Sequence, residues 1–128
     1  MAIDAQYLLA ASMDVKSDKE ALFNEVYDDE HLPTVLTVPG VLSAARFKTQ
    51  DLTMMLGGER RTIVVDDEPR YTALYELESP EVVKTHAWAT ATEQGRWPTE
   101  ERPYTENRRH VLRQRIGPNP SNCGCNSL

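Results

Sequence analysis

Four stretches of the chain carry the short apolar or alternating patterns that predict β-strands. They cover residues 6–13, 41–49, 70–77 and 104–116. The first has apolar side chains on both faces and few charges, which is typical of a strand covered on both sides. The stretches between the strands show a different period.

The first stretch between strands has the three- and four-residue spacing of a helix. Ser17, followed three residues later by Glu20, predicts a capping box at its start. Its apolar face is formed by Leu22, Phe23, Val26 and Tyr27. We expect the helix to end near Glu30, with a short helical turn after it, because Pro33 disfavours the helical conformation in the residue before it.

A second helix is predicted between the third and fourth strands. Ser79 is the expected N-cap and Pro80 occupies the first helical position. The helix should run to Gly95, a residue that commonly ends helices. On such a continuous helix, Trp88 would point away from the face that carries His86, towards the surface or an interface.

Residues 50–69 lie between the second and third predicted strands. Gly57 and Gly58 predict the tip of a hairpin with apolar arms on either side. The alternative is a long loop.

The order of elements, β-α-β-β-α-β, predicts an α+β domain with the ferredoxin-like fold over residues 1–117. This fold has a four-stranded antiparallel sheet with two helices on one face. Because the strands are apolar on both faces, the bare face requires a partner, and a homodimer that packs sheet against sheet satisfies this. Residues 118–128, which include Cys123 and Cys125, are expected to be a C-terminal tail.

Composition narrows the classes of partner. The formal net charge of the 128 residues is −6, which argues against nucleic acid, because phosphate binding needs a basic excess. No apolar run approaches the ~20 residues of a membrane span, and we expect the first residues to form a strand and not a signal peptide. Cysteine occurs only in the last six residues, which fits a reducing cytoplasm. We therefore expect a cytoplasmic homodimer that binds a small molecule.

One segment resembles a known family. It contains Tyr27, three further residues, His31-x-Pro33 and then the turn Pro39–Gly40. This pattern is similar to the signature of EthD-like proteins in the dimeric α+β barrel superfamily. The resemblance covers about residues 6–116 and implies a dimer of ferredoxin-like protomers. The superfamily includes lactone isomerases, polyketide cyclases, cofactor-free monooxygenases and haem-degrading enzymes, so it implies several activities.

His31 is the main catalytic candidate, with Tyr27 one turn before it and Phe23 one turn earlier as a wall of the site. Histidine titrates near neutrality and can transfer protons. Neighbouring acids and burial oppose each other, so we expect a pKa near neutral. The alternative is a histidine that only caps the end of the helix. Three acids, at positions 28–30, are expected to face solvent.

Further candidates for substrate binding come from the strands and the second helix. They are Tyr7, Tyr71, Tyr75 and His86. Packing in the core is an equal alternative for the tyrosines, and a structural role for His86. No second histidine lies at metal-ligand spacing from His31, so we expect no metal. We also expect no cofactor.

The last strand is rich in arginine. It carries Arg108, Arg109, Arg113 and Arg115. Ion pairing at a dimer interface is the expected role, and binding of a substrate carboxylate is the alternative.

The function expected from these residues is acid–base catalysis, by isomerisation, cyclisation or dehydration, on a small cyclic or aromatic compound. A cofactor-free or haem-linked monooxygenase and a non-catalytic ligand-binding dimer are the alternatives.

Overall fold

Four antiparallel strands form the sheet on which the helices pack. The computed structural model describes residues 5–118. The strands are β1 (Tyr7–Val15), β2 (Val41–Lys48), β3 (Leu52–Leu56), β4 (Glu59–Ile63), β5 (Tyr71–Leu77) and β6 (Thr105–Gln114). The sheet has the order β2-β5-β1-β6, with every neighbouring pair antiparallel. This is the ferredoxin-like order, so the predicted fold is confirmed.

The segment between β2 and β5 is a hairpin. β3 and β4 pair antiparallel along their whole length and form a separate two-stranded sheet. Gly57 and Gly58 make the turn with φ of +58° and +82°, a conformation that residues with a side chain rarely adopt. The hairpin prediction is confirmed, but its second arm is the charged stretch Glu59–Ile63 and not the apolar residues 62–65 that were expected. Nearly all of its side chains are exposed.

The helices are short and are joined by irregular turns. Their bounds are α1 (Glu20–Val26), α2 (Leu32–Val35) and α3 (His86–Ala91). Wider π-helical turns occupy Tyr27–His31 and Trp97–Glu101. Tighter 3-10 turns occupy Ser17–Lys19, Pro80–Lys84 and Arg102–Tyr104.

The first helical segment does not end near Glu30, so that prediction is wrong. The backbone of Leu32 is helical, and its N–H donates to the carbonyl of Tyr27, five residues back. This π-turn absorbs one extra residue, and Pro33 then lies in the first turn of α2, where its missing N–H costs little. The prediction of a capping box is also wrong. Ser17 makes no side-chain cap, and Glu20 instead accepts hydrogen bonds from Tyr71 and Arg70.

The second helical segment is broken where a continuous helix was predicted. Ser79 caps its start as expected, because its Oγ accepts a hydrogen bond of 2.9 Å from the N–H of Glu81. Thr85 then adopts an extended conformation, with φ −80° and ψ 156°, and caps α3 by accepting from the N–H of Trp88 at 3.1 Å. The break changes the direction of every side chain that follows it.

The core lies between the sheet and the helices. Leu9, Ala11 and Met13 of β1 face it, with Tyr71, Ala73, Tyr75 and Leu77 of β5 and Phe23, Val26 and Val35 of the helices. On the opposite face of the sheet no helix of residues 5–118 packs. This face carries alternate residues such as Ala10, Ser12 and Leu74, with the more exposed Phe47 (53%) and Val111 (38%).

None of the helices in residues 5–118 is long and apolar enough to cross a membrane. The predicted tail lies, from residue 119 onward, outside the described residues.

Candidate functional site

A cavity of about 280 Å³ opens between the helix-facing side of the sheet and the helical segments. Leu9, Ala11 and Met13 of β1 form its floor. Its walls are largely aromatic and are formed by Tyr27, His31, Tyr75, Trp88 and Trp97. Thr92, Arg102, Arg108 and His110 complete the lining. Apolar walls with a few convergent polar groups are typical of small-molecule sites.

Two π-turns bring His31 and Trp97 together. His31 ends the first turn and Trp97 begins the second. Their rings are stacked, with centroids 4.7 Å apart and planes at 29°. The residues before them are ion-paired: Arg96 donates to Glu30 from its backbone N–H at 3.0 Å and from its Nε at 2.6 Å. This pair fixes the two turns against each other.

His31 is buried and electrically neutral at physiological pH. Only 6% of it is exposed, and its Nδ1 has no hydrogen-bond partner in residues 5–118. Burial lowers the pKa of His31 to about 4, and the guanidinium of Arg102 adds to this while the carboxylate of Glu93 opposes it. The expected pKa near neutral is therefore wrong, because burial and Arg102 outweigh the opposing carboxylate of Glu93.

The acids before His31 face away from the cavity. Asp28 pairs with Arg46 at 2.8 Å and Glu30 with Arg96, while Asp29 is exposed. In residues 5–118 no group of three or more histidine, cysteine or acidic side chains could hold a metal ion.

Tyr27 and Tyr75 present their hydroxyl groups to the same cavity. The two oxygens are 3.4 Å apart and share a hydrogen bond. Burial raises the pKa of both hydroxyls, so both stay protonated at neutral pH. The two hydroxyl groups carry one hydrogen each, and their mutual hydrogen bond uses only one of them. The other O–H is free to donate to a ligand. The ring of His31 lies edge-on to that of Tyr27, with centroids 4.9 Å apart.

The structure separates the other predicted candidates from the cavity. Phe23 is buried behind it and packs on Tyr27 and Tyr71, with centroids at 5.4 and 5.1 Å. The hydroxyl of Tyr71 donates to Glu20 at the other edge of the helix. Tyr7 packs at the margin of the core.

His86 is exposed on α3 and does not line the cavity, whereas Trp88 does. Trp88 packs edge-on against Tyr75, with centroids 5.7 Å apart. The predicted directions of His86 and Trp88 are both wrong. They assumed one continuous helix, and the extended Thr85 interrupts it before α3.

Sequence reasoning missed several lining residues. Trp97 and Arg102 lie in a stretch without periodicity, where no local signal marked them. His110 could have been found, because it alternates on β6 with Arg108, for which carboxylate binding was the alternative role, and therefore shares its face.

Comparisons with known proteins bear on the fold. No family model matches the chain, and no curated protein does so at a significant level. Among solved structures, an EthD family protein from Bacillus halodurans superposes with a TM-score of 0.54 at 8% identity. The match covers 86% of this chain and 99% of that one. The chain has the fold of the dimeric α+β barrel proteins.

Two further solved structures of this fold are similar. A variant of MhuD with two manganese protoporphyrin IX molecules per active site has a TM-score of 0.53 at 14% identity, covering 88% of this chain and 96% of that one. MhuD is a haem degrader from Mycobacterium tuberculosis. A provisionally assigned antibiotic biosynthesis monooxygenase from Nitrosomonas europaea has a TM-score of 0.51 at 17% identity, covering 92% and 98%. The dimeric α+β barrel fold therefore hosts several chemistries among these proteins.

Proposed function

We propose that this protein is a small-molecule enzyme that removes and returns a proton at a carbon next to a carbonyl group. The observation that carries the proposal is a neutral, buried imidazole on the same cavity as a pair of protonated tyrosines. A base and a hydrogen-bond donor are the two groups that such a reaction needs.

In this reaction His31 accepts the proton, since its imidazole is neutral above a pH of about 4. The electron pair left on carbon moves to the carbonyl oxygen, which becomes an enolate. The free hydroxyl of the pair formed by Tyr27 and Tyr75 donates a hydrogen bond to that oxygen. The apolar walls exclude water, which strengthens this hydrogen bond.

The fate of the enolate decides the product. Return of the proton from His31 to another carbon isomerises the compound. Attack of the enolate carbon on a second carbonyl closes a ring, and the new alkoxide takes the proton. If the carbon next to the enolate carbon carries a hydroxyl group, that group leaves with the proton held by His31, as water. The result is dehydration. Each outcome uses the same two groups.

A cofactor-free monooxygenase is the second candidate. The likeness to the Nitrosomonas europaea protein favours it, and it would begin with the same proton removal before dioxygen reacts with the carbanion. Oxygen consumption with the substrate separates the two functions.

Haem does not fit the cavity. Drug-sized ligands occupy pockets of roughly 300–1,000 Å³, and haem is larger than most of them, whereas this cavity measures about 280 Å³. No step of the proposed reaction therefore involves haem.

The same proposal includes a homodimer. The bare face of the sheet carries Leu74 and Val111 around the small Ala10 and Ser12, and such a face needs a cover. A second copy packed sheet against sheet supplies it, as the fold's name implies.

Exchange of carbon-bound protons tests the function without a known substrate. 2-Tetralone is incubated in D₂O, and loss of its α-proton signals is followed by NMR. The wild-type protein should accelerate the exchange. His31→Gln, which nearly preserves volume, should lower the protein-dependent rate by roughly a hundredfold or more.

Tyr27→Phe should lower the rate less, since the hydroxyl of Tyr75 remains as a donor. His86→Gln is the matched control, because this exposed histidine lies away from the cavity. If the protein binds 2-tetralone but exchange is equal in wild type and His31→Gln, the non-catalytic ligand-binding alternative is correct.

A further inference from the structure

The cavity is positively charged at one side although the protein is acidic overall. The net charge is −6, yet the lining includes Arg102 and Arg108, with His110 beside them, and contains no aspartate or glutamate. A cationic lining in an acidic protein favours an anionic ligand at this place.

Arg108 and His110 lie on β6, across β1 from β5. They occupy alternate positions, so their side chains project from the same face of the sheet. His110 pairs with Ala11, which belongs to the cavity floor. Burial lowers the pKa of the His110 imidazole, and the guanidinium of Arg108 lies close enough to add to this.

Arg108 is available for a ligand. In residues 5–118 it has no ion pair, hydrogen bond or aromatic partner. Its neighbour Arg109 projects from the other face and pairs with Glu68 at 3.4 Å and with the carbonyl of Asp67 at 2.7 Å. Arg102 is held by Glu93 at 2.5 Å. Arg108 is thus the arginine of the cavity whose charge is left uncompensated within the described chain.

We propose that Arg108, with His110 beside it, binds the carboxylate of a planar aromatic acid whose ring lies against the aromatic walls of the cavity. This inference rests on the proposed function, because it places the substrate of the same cavity. A guanidinium matches a carboxylate with two parallel hydrogen bonds. The neighbouring imidazole adds one donor.

The size and walls of the cavity favour an aromatic carboxylate over a phosphate ester. About 280 Å³ suits one or two fused rings. The floor is aliphatic and the walls are aromatic, so the ligand body must be apolar. One arginine and one histidine form a smaller cluster of donors than a doubly charged phosphate requires to lose its water.

Binding of 2-naphthoate and its neutral counterpart 2-naphthamide tests the proposal. Both tryptophans of the chain line the cavity, so their fluorescence reports occupancy directly. Wild type should bind the naphthoate at least ten times more tightly than the amide. Arg108→Gln should abolish this preference and leave the affinity for the amide unchanged.

Arg109→Gln is the matched control, since it removes the same charge from the opposite face. It should keep the preference for the acid. Equal affinity of wild type for acid and amide would overturn the inference and leave the proton-transfer proposal standing. A preference that survives in Arg108→Gln would also overturn it, as would no response to either compound. If Arg108→Gln loses the preference for naphthoate over the amide, the carboxylate-binding inference is supported. This holds even if the protein does not accelerate exchange of 2-tetralone, in which case only the proposed reaction fails.

Discussion

His31 lies stacked on Trp97 because two π-turns, more than sixty residues apart in the chain, are joined by the residues that precede these rings. Glu30 and Arg96 form that connection with hydrogen bonds of 2.6 and 3.0 Å. The position of the proposed base is therefore set by an ion pair outside the cavity.

Breaking this ion pair should displace the base without touching it. In Glu30→Gln the charge is lost and the contacts with Arg96 weaken, so the rings of His31 and Trp97 should separate. The protein-dependent exchange of 2-tetralone should fall about tenfold or more, because small displacements of a catalytic group are costly. The melting temperature should fall modestly.

Asp29→Asn controls for loss of charge in the same turn, since Asp29 is exposed. It should leave exchange unchanged. Equal rates in Glu30→Gln and wild type would show that the imidazole is held by packing alone.

The stability of the protein should depend on pH through His31. Its pKa in the folded state, about 4, is below the ordinary value of 6.5. Between these values the unfolded chain binds the extra proton, so stability is lost as pH falls from 6.5 towards 4. The free energy of unfolding should drop by about 3 kcal/mol over this window, at about 1.4 kcal/mol for each pKa unit.

Urea unfolding at several pH values measures this, with His31→Gln as the reference. The difference in unfolding free energy between wild type and variant should narrow as the solution becomes acidic. A difference that is constant between pH 7 and pH 4 would contradict a buried neutral imidazole. The exchange rate should likewise stay level at neutral pH and fall below about pH 4, where His31 becomes protonated.

Glu101 should destabilise the fold at neutral pH. It is fully buried in the second π-turn, and neither of its carboxylate oxygens has a hydrogen-bond partner in residues 5–118. Burial raises the pKa of Glu101, so the fold favours its protonated form, and stability is lost as pH rises through the folded pKa.

Glu101→Gln should therefore raise the free energy of unfolding at pH 8 by about 1–3 kcal/mol, because the amide has the shape of the carboxyl group but carries no charge to desolvate. Below pH 4 the gain should vanish. Glu100→Gln, on the same turn but exposed, is the control. A variant less stable than wild type at pH 8 would show that the carboxylate has a partner beyond the described residues.

The bare sheet face should hold two copies together. Sedimentation of the wild type should give about twice 14.5 kDa. Val111→Lys places a charge on that face at a side chain already 38% exposed, so the protomer should stay folded while the dimer dissociates. Leu36→Lys, at 41% exposure on the helical side, should leave the dimer intact. A wild-type monomer would contradict the predicted assembly.

The strands and their order followed from the sequence because alternation is a local signal and the ferredoxin-like order has few alternatives. The inward position of His31 agreed with its place after Phe23 and Tyr27. The π-turn at Tyr27–His31 could not be predicted, because a shift of one residue in hydrogen bonding leaves the composition unchanged. Trp97 had no periodic neighbours to place it, and its position depends on the distant Glu30.

The extended Thr85 makes the wall formed by α3 a separable module. This helix has six residues, its own cap and no strand pairing to maintain, so a change in its length or phase can exchange Trp88 for another side chain without altering the pairing of the strands. The shape of the cavity and the position of the catalytic base can therefore change independently between proteins with this architecture. A change in shape alters which molecules bind, and a change in the position of the base alters how they react.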